Sequence, residues 1–169
     1  YHRELTKEQK VHMDFDLFKK IIDEAKIYKL PAVNLNGLGE PVTHPRLVDM
    51  IKYCKDANIE DIMFHTNGTV MTEKLAKKLI EAGLTQIIFS LDTTDKKIFE
   101  EMRVGANFEK VNGNVELFIK TRNKLGSELP IVRTTMVLTD RTINQAKAFK
   151  KKWEKLADSI TAQDLVYSF

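Results

Sequence analysis

The side chains of this sequence that could do chemistry gather just after short apolar runs. Ala32-Val33-Asn34-Leu35-Asn36 leads into Gly37-Leu38-Gly39-Glu40-Pro41. Ile62-Met63-Phe64-His65 leads into Thr66-Asn67-Gly68, and Gln86-Ile87-Ile88-Phe89 leads into Ser90-Leu91-Asp92. A longer run, Ile131 to Leu138, carries Arg133 among Val, Thr and Met. Glycines without side chains let backbone amides and carbonyls approach a ligand closely. A guanidinium in an apolar strand needs an anionic partner, either a structural carboxylate or a ligand's. Each group also has a plainer reading. Gly37 and Gly39 suit a tight turn, and Asn67-Gly68 is a common turn pair. Ser90 and Asp92, two apart, suit one side of a strand, while Asp92, Thr93 and Thr94 are each possible helix caps. His65 reads as a packed strand-end histidine, since no other ligand type stands at metal-binding spacing.

The elements that must position these groups follow from the apolar periods. Phe15, Phe18, Ile21, Ile22 and Ala25 recur at helical spacing, with Asp14 or Asp16 as cap. Leu47, Met50, Ile51 and Cys54 repeat that period. Thr72 predicts an N-cap for the helix through Leu75, Leu79 and Ile80, which Gly83 should stop. Helices are further predicted over 96–102, 108–124 and 143–156. A last strand is predicted around Ile160 and Leu165-Val166. Five strands alternating with helices predict an α/β fold with a parallel sheet, whose ligands sit at the strands' carboxyl ends.

The bulk properties remove several classes. The 169 residues suit one domain, and 43% hydrophobic with 30% charged residues is ordinary for a soluble one. A net charge of +3, from 27 basic and 24 acidic residues, argues against nucleic acid. The run Lys147 to Lys155 fits the solvated face of a helix. No apolar stretch nears the roughly 18 residues of a membrane span, and the first residues resemble no signal peptide. A cytoplasmic location is expected. The single cysteine, Cys54, permits no internal disulfide and cannot alone hold an iron–sulfur cluster.

Taken in order, the segments resemble the radical S-adenosylmethionine (SAM) superfamily. Gly39-Glu40-Pro41 resembles its Gly-Gly-Glu-Pro motif, with Leu38 in place of the first motif glycine and Gly37 just before it. Thr66-Asn67-Gly68 resembles its Thr-Asn-Gly strand end, and Ser90-Leu91-Asp92 its Ser-x-Asp segment. The stretch ending at Arg103 resembles its following helix and arginine. The overall pattern is nearest to members of the SPASM or twitch type. The resemblance implies a partial (βα)6 TIM-like barrel, residues 1–169 being an incomplete core domain. Its first strand and cluster loop would fall outside the chain. The family's Cys-x-x-x-Cys-x-x-Cys segment is absent. Tyr1-His2-Arg3 resembles the residues that follow its last cysteine, so the cysteines are expected just upstream of Tyr1.

The implied cofactors are SAM and a [4Fe–4S] cluster. The implied site is Gly37, Gly39, Glu40 and Pro41 for the methionine end of SAM, with Asn67 nearby. Ser90 and Asp92 would serve the ribose or carboxylate, and Arg103 and Arg133 are rivals for the carboxylate. The implied reaction is reductive cleavage of SAM to a 5′-deoxyadenosyl radical that takes hydrogen from a peptide or small metabolite. The electron would come from a flavodoxin or ferredoxin. The chain alone is expected to be inactive, with no catalytic residue or metal ligand of its own. Two alternatives stand beside this: a cluster-free homologue acting as a binding or scaffold module, and an unrelated βα-barrel enzyme with a phosphorylated substrate.

Overall fold

Helices in this protein begin where a short polar side chain can accept a first-turn amide. Asp14 accepts from Leu17, Thr72 from Leu75, Asp95 from Ile98 and Asn107 from Lys110. Of the caps expected from sequence, Asp14 and Thr72 hold. Asp92, Thr93 and Thr94 are replaced by Asp95, because the chain runs three residues further before it turns helical. Gly83 takes φ +92 just past the end of its helix, and its amide reaches back to the Ile80 carbonyl at 3.1 Å.

A computed structural model describes residues 12–164. Its elements run α1 (Phe15–Ile27), β1 (Ala32–Asn34), a 3-10 turn (Pro41–Thr43), α2 (Leu47–Asp56), β2 (Asp61–Thr66), α3 (Glu73–Glu81), β3 (Gln86–Ser90), α4 (Lys96–Met102), α5 (Phe108–Lys124), β4 (Ile131–Leu138), a second 3-10 turn (Ile143–Gln145), α6 (Ala146–Trp153) and β5 (Ser159–Asp164). The five strands form one parallel sheet in chain order. The expected α/β fold is therefore present as a partial TIM-like barrel. Two boundaries differ from expectation: the first strand stops at Asn34, and the helix expected over 143–156 is α-helical only over 146–153. The last strand, expected around Ile160, runs from Ser159. Tyr1-His2-Arg3 and Leu165-Val166 lie outside the described residues.

The two faces of the sheet differ sharply. Sequential strands joined by right-handed crossovers put every helix on the same face. That face holds Phe64, Ile87, Phe89, Val132 and Met136, packed against Phe118, Phe149 and Trp153 in the core. The opposite, concave face carries the alternate residues. In register across it lie His65, Ile88, Arg133 and Ser159. One row nearer the carboxyl ends lie Ser90, Thr135 and Thr161. No helix among the described residues is long and apolar enough to cross a membrane.

β4 and β5 are tied together by an ion pair whose cation is buried and whose carboxylate is partly open to solvent. The Arg122 guanidinium, on α5, binds the Asp158 carboxylate and donates to the Pro130 carbonyl at 3.0 Å. The same carboxylate accepts the Val132 amide at 2.7 Å. Removing one partner leaves a buried cation and a buried amide uncompensated. Asp158→Ala should therefore lower folding stability by about 2 kcal/mol, the cost of hydrogen bonds lost to a charged group, read as a shift of the urea unfolding midpoint. A loss below about 1 kcal/mol would mean that water replaces the carboxylate.

Candidate functional site

The loop after β1 is held by one carboxylate. Glu40 Oε1 accepts the Thr66 hydroxyl and Oε2 the Asn67 amide, each at 2.7 Å. Oε1 also accepts the Val42 amide at 3.4 Å, starting the 3-10 turn in which Pro41 takes the first position. Glu40 thus bolts the β1 loop to the end of β2. Above this anchor the loop is open: a Cβ on Gly37 or Gly39 would meet nothing within 4 Å. Among the described residues, the backbone of Gly37, Leu38 and Gly39 makes no hydrogen bond. These glycines leave peptide groups free to meet a ligand, and neither takes the positive φ of a glycine-requiring turn.

Asn67 and Gly68 act first as a turn. Asn67 Oδ1 accepts the Thr69 amide at 2.9 Å and its hydroxyl at 2.6 Å, closing an Asx turn. Gly68 needs its φ of +71, and a Cβ there would sit 3.3 Å from a Phe89 ring carbon. Its carbonyl accepts the Asn114 side-chain amide at 2.7 Å. Asn67 therefore shapes the strand end with its side chain already committed.

At the end of β3 the expected alternation breaks. Ser90 stays on the concave face. Leu91 is buried in the core, and Asp92 adopts φ +63. This left-handed residue turns the carboxylate toward β4 and α4 instead of leaving it beside Ser90. Asp92 accepts Arg103 Nε at 3.0 Å, a second guanidinium nitrogen, and the Val137 amide at 3.3 Å. The pair is mostly shielded, with Asp92 8% exposed. Arg103 is thereby fixed at the carboxyl end of the sheet, with part of its guanidinium still accessible.

Arg133 sits lower. It pairs in register with Ile88, one row beneath Ser90, about 7 Å further from the strand ends at a rise of roughly 3.3 Å per residue. The structure thus separates the two arginines that sequence made rivals. His65 occupies the same row, and its pKa is lowered, chiefly by burial and then by the charge of Arg133. It belongs to no metal-ligating group among the described residues. Cys54 is 0% exposed in the core, and burial pushes its thiol up to about 12, so it is no ligand either.

Gly37, Gly39, Glu40 and Pro41 also line a cavity of about 720 Å³ whose apolar side is formed by Phe18, Ile22, Leu47 and Met50. Ser90, Asp92, Arg103 and Arg133 are not among its lining residues. Three contributors escaped the sequence reading as individual residues. Asn36 Oδ1 accepts the His65 amide at 2.7 Å, Thr66 contributes its hydroxyl, and Asn114 reaches across 46 positions. Asn36 and Thr66 stand inside the strand-end segments and were within reach of that reasoning. Asn114 lies mid-helix, with no local signal.

Comparison with known proteins follows the same outline. A family model described as Radical SAM superfamily matches residues 3–155. A tungsten-containing aldehyde ferredoxin oxidoreductase cofactor-modifying protein of Pyrococcus furiosus is 32% identical over 138 residues, 79% of this chain and 37% of that protein. A probable GTP 3′,8-cyclase of Methanococcus maripaludis is 31% identical over 144 residues, 85% of this chain and 46% of that protein. The chain spans less than half the length of these relatives. Among solved structures, Streptococcus suis SuiB bound to S-adenosylmethionine matches 99% of this chain and 36% of its own, with TM-score 0.78 at 18% identity. anSMEcpe with bound AdoMet and a Cp18Cys peptide matches 93% of this chain and 44% of its own, with TM-score 0.72 at 19% identity. These two likenesses concern the fold.

Two outcomes follow from the geometry. Glu40→Ala should strand the Asn67 amide and the Thr66 hydroxyl, at about 2 kcal/mol of stability. Hydrogen exchange at the Asn67 amide should then quicken, and unchanged protection would show that the brace is not formed in solution. His65 should titrate below about 6.5 by NMR. Its folded-state pKa is depressed, so the unfolded chain binds the proton first. Stability should fall as pH drops below that value. Arg133→Gln should move the His65 pKa upward.

Proposed function

The chain belongs to the radical SAM superfamily, and on that premise we propose that the whole protein is a radical SAM enzyme whose SAM site is the carboxyl end of this sheet. The observation that carries the reading is the Gly37–Gly39 loop. It is anchored rigidly by Glu40, yet its own peptide groups are uncommitted. A cation such as an α-ammonium needs acceptors of that kind, and prior anchoring removes the entropy loss of ordering them. The residues present therefore fit SAM. They do not fit the iron–sulfur cluster: Cys54 is the chain's one thiol, and it is buried and protonated.

A [4Fe–4S] cluster held elsewhere in the whole protein would supply the electron for SAM cleavage and radical chemistry on a substrate. In this reading the carbonyls of the Gly37–Gly39 loop accept the ammonium. Arg103, aimed by Asp92, meets the methionine carboxylate with its remaining donors. Ser90, on the concave face, offers its hydroxyl to the ribose or carboxylate. Glu40, Pro41 and Asn67 serve by shaping the two strand ends rather than by touching the ligand. The cluster's thiolates would come from residues of the protein other than these, and its electron would come from a flavodoxin or ferredoxin. The family match leaves no place for an unrelated barrel.

The full-length protein, expressed anaerobically with iron and sulfide reconstituted, should release 5′-deoxyadenosine when reduced with SAM. A fully loaded cluster that never cleaves SAM would end the enzyme reading, and a full-length protein that lacks the three cysteines and takes up no cluster would favour the cluster-free binding module. Arg103→Ala should weaken SAM binding about tenfold by calorimetry, close to 1.4 kcal/mol. Arg103→Lys should recover part of that loss, and no change in affinity would remove Arg103 from the site.

A further inference from the structure

Among the described residues, Arg133 has no partner to account for its charge. Its Nε is sealed from solvent and makes no hydrogen bond. No ion pair among the described residues includes it. Among the described residues, the carboxylates nearest this face are committed, and Asp164, exposed at the end of β5, is five residues from Ser159 and so belongs to the alternate set of strand positions. Asp92 holds Arg103 and Asp158 holds Arg122. Glu40 holds Thr66 and Asn67. Asp61 lies two rows toward the strand starts and accepts the Thr85 hydroxyl at 2.6 Å. A partly buried guanidinium without a counter-ion is costly unless something anionic arrives.

The neighbours of Arg133 are donors or neutral groups. His65 shares its row through Ile88, and the charge of Arg133 helps keep that imidazole unprotonated. Ser159 is its register partner on β5, with Thr135 and Thr161 one row above. A fixed cation, two or three hydroxyls, an imidazole N–H and no carboxylate make an arrangement suited to an oxyanion. With Nε covered, the two terminal guanidinium nitrogens are the ends left to a ligand. The position also argues against SAM. Arg133 lies a row beneath Ser90, while Arg103 already stands at the strand ends.

We propose that Arg133, with His65 and Ser159, forms an oxyanion-binding site on the concave face, and that the protein's substrate docks there through a carboxylate or phosphate group. This rests on the radical SAM reading only in calling the ligand the substrate; the anion site stands on its own geometry.

The test is NMR titration of the full-length protein with acetate, inorganic phosphate and pyrophosphate, each at constant ionic strength against sodium chloride. Saturable shifts of the Arg133 side-chain and His65 signals are expected, with the His65 pKa rising as the bound anion offsets the guanidinium charge. Acetate and the phosphates form separate arms, and the tighter one names the group the substrate carries. Arg133→Gln should weaken the anion at least tenfold and leave SAM affinity within twofold. Arg133→Lys, which keeps the charge and the fold, should retain a saturable response. Absence of any response beyond that of chloride in the wild-type protein would overturn the site. So would a tenfold loss of SAM affinity in Arg133→Gln, since Arg133 would then be serving the SAM carboxylate. Anion binding without SAM binding would instead retain this site and sink the SAM reading.

Discussion

The parallel ladder decides everything else in this protein. Strands pair in chain order, so their alternation is locked in phase across the sheet. One face receives Phe64, Ile87, Phe89 and Val132 and disappears under helices. The other receives His65, Ser90, Arg133, Thr135 and Thr161 and stays uncovered by them. A slip of one residue in β4 would send Arg133 into the helical core and bring Val132 to the concave face. The burial of Val132 at 0% exposure makes that slip prohibitive.

A second device recurs on this ladder. Three carboxylates each accept a backbone amide from a neighbouring unit: Glu40 that of Asn67, Asp92 that of Val137, and Asp158 that of Val132. Each also holds a second group, respectively the Thr66 hydroxyl, Arg103 and Arg122. Parallel strands cannot be joined by tight hairpins, so their ends are separated by long crossovers. Side-chain acceptors at those ends supply the lateral stiffness that a hairpin turn would otherwise give. Charge-assisted bonds of this kind are short and directional, which suits a site that must hold loops in place before a ligand arrives.

This changes the meaning of the acidic positions in the strand-end segments. Glu40 and Asp92 invite assignment as ligand contacts, because they stand beside glycine and serine in the right places. In the folded chain both are turned inward to protein partners, and the groups left facing outward are peptide carbonyls, the Ser90 hydroxyl and the free part of Arg103. In the proposed SAM reading, the binding surface would be built largely from groups that every residue has, positioned by carboxylates committed to protein partners.

The element types, their order and the parallel fold class were legible in the sequence, because periodicity and capping are local. Ile62, Phe64 and Thr66 alternate with Met63 and His65 within six residues, and Thr72 needs only Leu75 to act as a cap. Partnership was not legible. Asp92 finds Arg103 only because a left-handed residue turns the chain, and Asn114 finds Gly68 across a helix. Two arginines of equal standing in the sequence were parted by register: one paired at the rim, the other a row below and, among the described residues, unpaired. Pairings of that kind depend on through-space distances set by strand order and crossover packing, to which a linear pattern has no access.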